Sequence, residues 1–416
     1  MLSIRRLSIA AVLIALVLLL VASSFGATVS TRRHPRSRQV AEKASAQKKI
    51  SASRHSRRVA NSRAAKKSAK SRRKARRLRT AKRHRYYERF YTSSFADGQT
   101  ADDITAGEDP IVRQAAVDAL GNMNGTVVAI DPGTGRVLAM VNQKLALSEG
   151  AQPCSTIKVA VALAALSEGI VTKETKVNLG GWKMDMNQAM AVSNNRYFEV
   201  LGRRMGFQKV SRYAHQFGLG ELAGWNIPGE HLGVFPTEEL PAKLGGVGKM
   251  CSFGESISIT PLQLGALISA IANGGTLYYL QHPRSSEEVA NFQPKVKRYL
   301  DIAPLIPEVN VGMLGATTHG TARSLRTSFM EEPVLGKTGT CSKDGTRFGW
   351  FASYADTQYG RIVTVFFLQG GRPTFGPKAA ELAGKFYRSL YDHNYFAGNT
   401  PVTPVRGGDS SVGANQ

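Results

Sequence analysis

Cysteine is scarce: the 416 residues contain three. That excludes a disulfide-built scaffold and any four-cysteine zinc module. Of the eight histidines, five lie beyond residue 100, and their positions (215, 231, 282, 319 and 393) show no ligand spacing. No metal site is expected. The G-x-S-x-G elbow, H-E-x-x-H and the phosphate-binding Walker loop are all missing. Gly218-Leu219-Gly220 neither follows a strand nor opens a helix, so it is no dinucleotide loop. No cofactor is therefore expected.

Acidic residues are also few, 30 against 55 Lys and Arg, for a formal charge of +25. The imbalance is local. Residues 32–89 hold 24 bases and two acids, Glu42 and Glu88, a net of +22. Arg5 and Arg6 add two more, which leaves +1 for everything else. The apolar fraction of 42% fits a globular protein.

Residues 7–31 carry no charge, and Ile9–Ala22 is wholly apolar. After Arg5 and Arg6, that predicts a signal-anchor over residues 1–31, able to cross a bilayer once Leu7–Ala27 is counted. The basic residues on its C-terminal side outnumber those before it, so charge alone would keep the rest of the chain inside. Residues 32–100 read as a disordered linker, polybasic to residue 89 and with little to bury. Such a segment serves as a solvated spacer or adheres to anionic lipid or wall polymer. The stacking groups next to its basic run, Tyr86, Tyr87, Phe90 and Tyr91, cluster at one end, which argues against an interleaved nucleic-acid platform.

From residue 110 to 396 the pattern is that of a folded domain, and 397–416 is a polar tail. The spacing predicts a helix over Val112–Leu120 and a hairpin of Thr126–Asp131 with Arg136–Val141. Helices are expected from Pro153 to Gly169, at 188–205 and at 208–216, and after the capping box Thr260-Pro261-Leu262-Gln263. Three strands at 334–341, 347–355 and 361–369 precede a last helix at 378–392. Strands at both ends with a helical middle suggest one sheet assembled from distant segments, an α/β (α+β) class, with a helical insertion.

Three short patterns then stand out: Ser155-Thr156-Ile157-Lys158 (S-x-x-K), Ser193-Asn194-Asn195 (S-x-N) and Lys337-Thr338-Gly339 (K-T-G). S-x-x-K alone is uninformative, because Ser45/Lys48 and Ser71/Lys74 also match it, but only Ser155 opens an apolar helix. Positions i and i+3 share a helix face, so the Lys158 amine can reach the Ser155 hydroxyl. A serine needs a base to act as nucleophile. A lysine becomes that base when desolvation and a nearby cation lower its pKa. Lys337 is the candidate cation, Ser193 a proton relay, and Asn195 an orienting group. Lys337 and Thr338 are candidates to bind a carboxylate. Gly339 is expected to let substrate backbone approach the strand edge, and the Ser155 and Thr340 amides to form an oxyanion hole.

The trio resembles that of the penicillin-binding protein and serine β-lactamase superfamily, over residues 112–392. Val128–Ala139, Ile259–Gly275, His319–Ala322 and the Pro228-Gly229-Glu230 stretch are similar to class B penicillin-binding proteins. The resemblance implies an antiparallel sheet flanked by helices, an all-helical subdomain, and the site between them. It implies acylation of Ser155 by peptidoglycan stem peptides or β-lactams and transfer to an amine, which requires an exported catalytic domain on a bacterial membrane. Class B proteins normally carry a large pedestal domain before the catalytic one; in the sequence given, the basic tether is expected in that place. The short 142–154 segment is similar to class D β-lactamases, whose carboxylated lysine would fall on Lys158. A D,D-carboxypeptidase, a serine β-lactamase and a non-catalytic β-lactam sensor remain alternatives. In class A carbapenem-hydrolysing β-lactamases a bridge joins the positions that Cys154 and Cys341 occupy here, so a disulfide between them is expected; two buried thiols are the alternative. Cys251 would stay unpaired.

Overall fold

The computed structural model describes residues 88–172, 174–357 and 360–398. The anchor, most of the polybasic segment and nearly all of the tail lie outside them. Among the described residues no helix is long and apolar enough to cross a membrane.

The first helix, α1 (Pro110–Leu120), starts where the sequence supplies a cap. The Asp109 carboxylate accepts from the Ile111 and Val112 amides, and Pro110 sits where no amide is needed. The hairpin follows as β1 (Gly125–Asp131) and β2 (Arg136–Val141). A 3-10 turn, Cys154–Ile157, leads into α2 (Lys158–Ser167). Next come α3 (Met186–Ala191), α4 (Asn195–Met205), α5 (Phe207–Gln216) and α6 (Gly246–Phe253). Helix α7 (Pro261–Ala272) has the capping box complete in both directions between Thr260 and Gln263. After α8 (Ile306–Thr318), three long strands run β3 (Val334–Lys343), β4 (Thr346–Thr357) and β5 (Gly360–Gly370), and α9 (Gly376–Asp392) closes the sequence of major elements.

The five strands form one antiparallel sheet in the order β2-β1-β5-β4-β3. β1 reaches the centre by pairing with β5 over Gly125–Leu368 to Ile130–Val363, so chain segments far apart in sequence share one sheet. Both faces are buried, and period-2 alternation sorts them. Val128, Ile130, Trp350, Val363, Val365 and Phe367 pack on the side of α2 and α7. Val127, Ala129, Phe351, Ile362, Phe366 and Leu368 pack against α1 and α9. All twelve residues of α7 are buried. Each of its leucines and isoleucines contributes about 1.5–3 kcal/mol of apolar burial. Gly265 lets that helix approach β1, since a Cβ there would lie 2.5 Å from Ile130 Cδ1.

Two expectations need correcting. The linker does not extend to residue 100. The Tyr91 amide donates to Gly345 O, Phe95 bridges Met123, and Ser94 is buried with its hydroxyl accepting from the Gly371 amide. The turns at 88–100 are thus tied to the sheet by backbone groups and the Ser94 hydroxyl, which no apolar pattern reveals. The helical stretch at 188–205 is also two helices. The Ser193 and Asn194 amides donate to Met190 O and Ala189 O, which closes α3 in a Schellman arrangement with Ser193 at φ +56°. Asn194 then caps α4 through the Tyr197 amide.

Candidate active site

S-x-N is therefore a hinge, and the hinge explains the motif. The left-handed residue at the end of α3 turns Ser193 and Asn195 back toward α2 instead of leaving them on a continuous helix face. The pattern S-x-x-K sits on a second constrained turn. Cys154, immediately before Ser155, has φ +52°, a conformation that costs a non-glycine residue about 1–3 kcal/mol. Cys154 is joined to Cys341 of β3 in a disulfide with a Cα–Cα distance of 5.6 Å. Cys251 is free and buried against Gly202 of α4.

β3 passes directly beside the Ser155 turn, and Gly339 makes the approach possible. A Cβ at 339 would lie 2.8 Å from Pro153 O and 3.2 Å from Thr156 Cγ2. The missing side chain, expected to admit substrate backbone, thus first admits the Ser155 turn itself. Next to it the Trp350 indole N–H donates to Gln152 O at 3.0 Å.

These elements converge on two lysines. Lys158 is fully buried, with Nζ 3.0 Å from Ser155 Oγ, 3.1 Å from Ser193 Oγ, 2.8 Å from Ser193 O and 2.6 Å from Asn195 Oδ1. Lys337, also fully buried, donates to Ser193 Oγ at 2.9 Å and to Thr338 O at 2.9 Å. Burial, and then the charge of Lys337, lower the Lys158 pKa to about 6, against a smaller opposing effect of Glu199. Burial alone lowers that of Lys337 to about 7. A neutral Lys158 has two N–H bonds for Ser193 O and Asn195 Oδ1, and its lone pair is free for the Ser155 hydroxyl proton. Ser193 Oγ links the two amines. Ser155 itself is half-buried and so open to a reactant.

Thr338 Oγ1 hydrogen-bonds Thr321 Oγ1 at 2.7 Å, and Thr340 Oγ1 accepts from the Gly376 amide at 2.8 Å. Sequence reasoning missed Thr321 as a site residue. Its signal was the His319–Ala322 stretch that resembles class B penicillin-binding proteins, which contains Thr321 but gives it no role. Among the described residues no group of three or more His, Cys, Asp or Glu side chains could hold a metal ion.

The family model of the penicillin-binding protein transpeptidase domain matches residues 125–389. That range begins at β1 and ends within α9, so it contains all three motifs and the whole sheet. The chain belongs to the penicillin-binding protein transpeptidase family. It is 27% identical over 318 residues to the stage V sporulation protein D of Bacillus subtilis, covering 61% of this chain and 48% of that protein. It is 24% identical over 365 residues to the peptidoglycan D,D-transpeptidase MrdA of Acinetobacter baumannii, covering 69% and 53%. With the peptidoglycan D,D-transpeptidase FtsI of Escherichia coli it shares 22% identity over 306 residues, 64% and 50% of the two chains. The chain thus spans about half the length of these relatives. Among solved structures, the D,D-transpeptidase domain of a peptidoglycan glycosyltransferase from Eggerthella lenta shares the fold. Its TM-score is 0.54 at 20% identity, over 69% of this chain and 82% of that one. A chain from a peptidoglycan synthase complex gives 0.56 at 23% identity, over 68% and 62%. Within this family the antiparallel sheet and helical subdomain expected from the resemblance are present, with the three motifs meeting where they adjoin.

Proposed function

We propose that the protein is a membrane-tethered, exported serine D,D-transpeptidase that acts on peptidoglycan stem peptides and is acylated by penicillin. The observation that carries this reading is the placement of Lys158 Nζ, 3.0 Å from Ser155 Oγ, within a buried pair of amines. The names of the relatives support the choice of substrate class.

Ser155 Oγ attacks the carbonyl of the penultimate residue, and its proton passes to the Lys158 amine. The Ser155 and Thr340 amides receive the developing oxyanion. The C–N bond to the terminal residue breaks, and the leaving nitrogen takes the proton from Lys158 through Ser193. Asn195 orients Lys158, while Lys337, Thr338 and Thr340 hold the terminal carboxylate. Gly339 keeps the strand against the nucleophile. An acceptor amine then attacks the acyl ester and releases Ser155. The polybasic segment 32–89 attaches the enzyme electrostatically to anionic lipid or wall polymer, behind an anchor in residues 1–31.

Incubation with penicillin followed by intact mass over time tests the reading. A stable single adduct on Ser155 supports a penicillin-binding transpeptidase. Rapid loss of the adduct with released product indicates a β-lactamase, and no adduct indicates a non-catalytic fold.

A further inference from the structure

One backbone amide lies against the end of the K-T-G strand. Gly376, the first residue of α9, donates its N–H to Thr340 Oγ1 at 2.8 Å. The approach is close: a Cβ at 376 would lie 2.8 Å from Gly339 O, 2.9 Å from Thr338 Cβ and 3.0 Å from Thr340 Oγ1. Gly349 of β4, which pairs with Thr340, makes room for it, since a Cβ there would lie 2.7 Å from the carbonyl carbon of Phe375. A threonine hydroxyl has one proton to donate. With its oxygen accepting from Gly376, that proton has no acceptor among the described residues and is left for an incoming group.

The Phe375–Gly376 junction is itself held by a strap from far earlier in the chain, residues 90–94. The strap ties to it in two independent ways. The buried Ser94 accepts through Oγ from the Gly371 amide at 2.9 Å and from the buried Thr374 hydroxyl at 3.2 Å. The Thr374 amide closes the intervening turn on Gly371 O. Phe90 makes the second tie. It packs on Gly371, where a Cβ would lie 3.1 Å from Phe90 Cβ. The Arg347 guanidinium stands over both the Phe90 and the Phe375 rings, 6.0 Å from each centre, a cation–π distance. Both ties end on the residues that precede Gly376.

We infer that Ser94 and Phe90 are positioning residues: through the Gly371–Phe375 turn they fix the Gly376 amide, and so aim the Thr340 hydroxyl at the carboxylate of the donor. The inference rests on the transpeptidase reading given above, which places that carboxylate at Lys337, Thr338 and Thr340. Neither residue acts on the reacting atoms. Lys158 bonds to Ser155, Ser193 and Asn195, and Lys337 to Ser193 and Thr338, so neither tie of the strap ends on the nucleophile or its base. Loosening the strap frees the Thr340 hydroxyl to rotate, which weakens its charge-assisted hydrogen bond to a carboxylate and leaves the proton transfer at Ser155 in place.

The test compares acylation of the full-length protein by benzylpenicillin, which carries the carboxylate, and by its methyl ester, which does not, followed by intact mass over time. The quotient of the two rates reports recognition of the carboxylate, and a general loss of folded protein cancels in it. Removing the hydroxyl in T340V should lower the quotient about tenfold, as loss of one hydrogen bond to a charged group implies. S94A and F90L should each lower it by at least about threefold, a partial loss of the same bond, with the ester rate within about twofold of wild type. In S94A/T340V the quotient should equal that of T340V, because no hydroxyl is left to aim. F90L carries the test should S94A fail to fold. A wild-type quotient in either folded variant overturns the inference, because the strap would then serve stability alone. Additive losses in S94A/T340V overturn it too, because Ser94 would then act by another route. Equal acylation of wild type by acid and ester refutes the carboxylate site on which the inference depends. Failure of the transpeptidase reading looks different: Ser155 is acylated by neither compound.

Discussion

Removing the Cys154–Cys341 bridge should cost stability, and the structure sets the upper limit. The bridge closes a loop with a sequence separation of 187. In the chain-entropy treatment a loop of that length restrains the unfolded chain by about 5 kcal/mol at 25 °C. Roughly 300 ordered residues unfold with an entropy of about 0.6 kcal/mol/K near the transition. The quotient is a melting temperature lower by up to about 8 °C in a Cys154→Ser/Cys341→Ser variant. The loss is not purely one of chain entropy. Cys154 holds φ +52° immediately before Ser155, and without the tether that turn can relax away from β3. Penicillin acylation should therefore slow as well, because the hydroxyl no longer stays 3.0 Å from Lys158 Nζ. Two assays check this. Thiol titration in denaturant without reductant should find one thiol, Cys251, whose own reactivity in the folded protein is suppressed because burial pushes its pKa up. Melting curves of oxidised, reduced and double-variant protein should then separate. Three titratable thiols, or identical melting and acylation in all three forms, would refute the reasoning.

Ser155→Ala should abolish penicillin labelling without changing the melting curve by more than about 1 kcal/mol, and Lys158→Ala should slow labelling by at least about a hundredfold; a labelled Ser155→Ala protein sinks the mechanism. Acylation should rise with pH through about 6 as Lys158 loses its proton, and Lys337→Met should move that rise to higher pH because the neighbouring charge that disfavours protonated Lys158 is gone. Stability should increase with pH from about 6–7 toward 10.5, since over that window the unfolded chain binds more protons at these two lysines than the folded one; acid titration of the melting curve reads the slope. Gly339→Ala places a Cβ 2.8 Å from Pro153 O, which should cost about 1–3 kcal/mol and lower acylation steeply; wild-type acylation in that variant would show that β3 need not pass so close. Deleting residues 32–87 should leave acylation intact and abolish low-salt retention on vesicles rich in anionic lipid; lost acylation would instead make the segment part of the fold.

By itself the sequence determined the parts whose signals are local. Short apolar runs marked Thr126–Asp131 and 361–369 as strands, because a strand buried on both faces must be apolar almost throughout. The Thr260-Pro261-Leu262-Gln263 box marked the start of α7, because its two hydrogen bonds span only three residues. The three motifs named Ser155, Lys158, Ser193, Asn195 and Lys337, since chemistry limits which side chains serve as nucleophile, base and relay. Long-range contact was decided only by the tertiary structure. No local pattern shows that Ser193 is a Schellman residue instead of a helix interior, because the choice depends on what α3 and α4 each pack against. The pairing of residues 90–99 with Gly345, Met123 and Gly371 runs through backbone groups and the Ser94 hydroxyl, which leave no mark in apolar periodicity. The same holds for the second task of Gly339. A glycine in K-T-G reads as an opening for substrate until the strand is seen against Pro153 and Thr156. Lys158 and Lys337 became a buried pair only when α2, the α3–α4 hinge and β3 closed around them and excluded water, and that exclusion is what moves their protons.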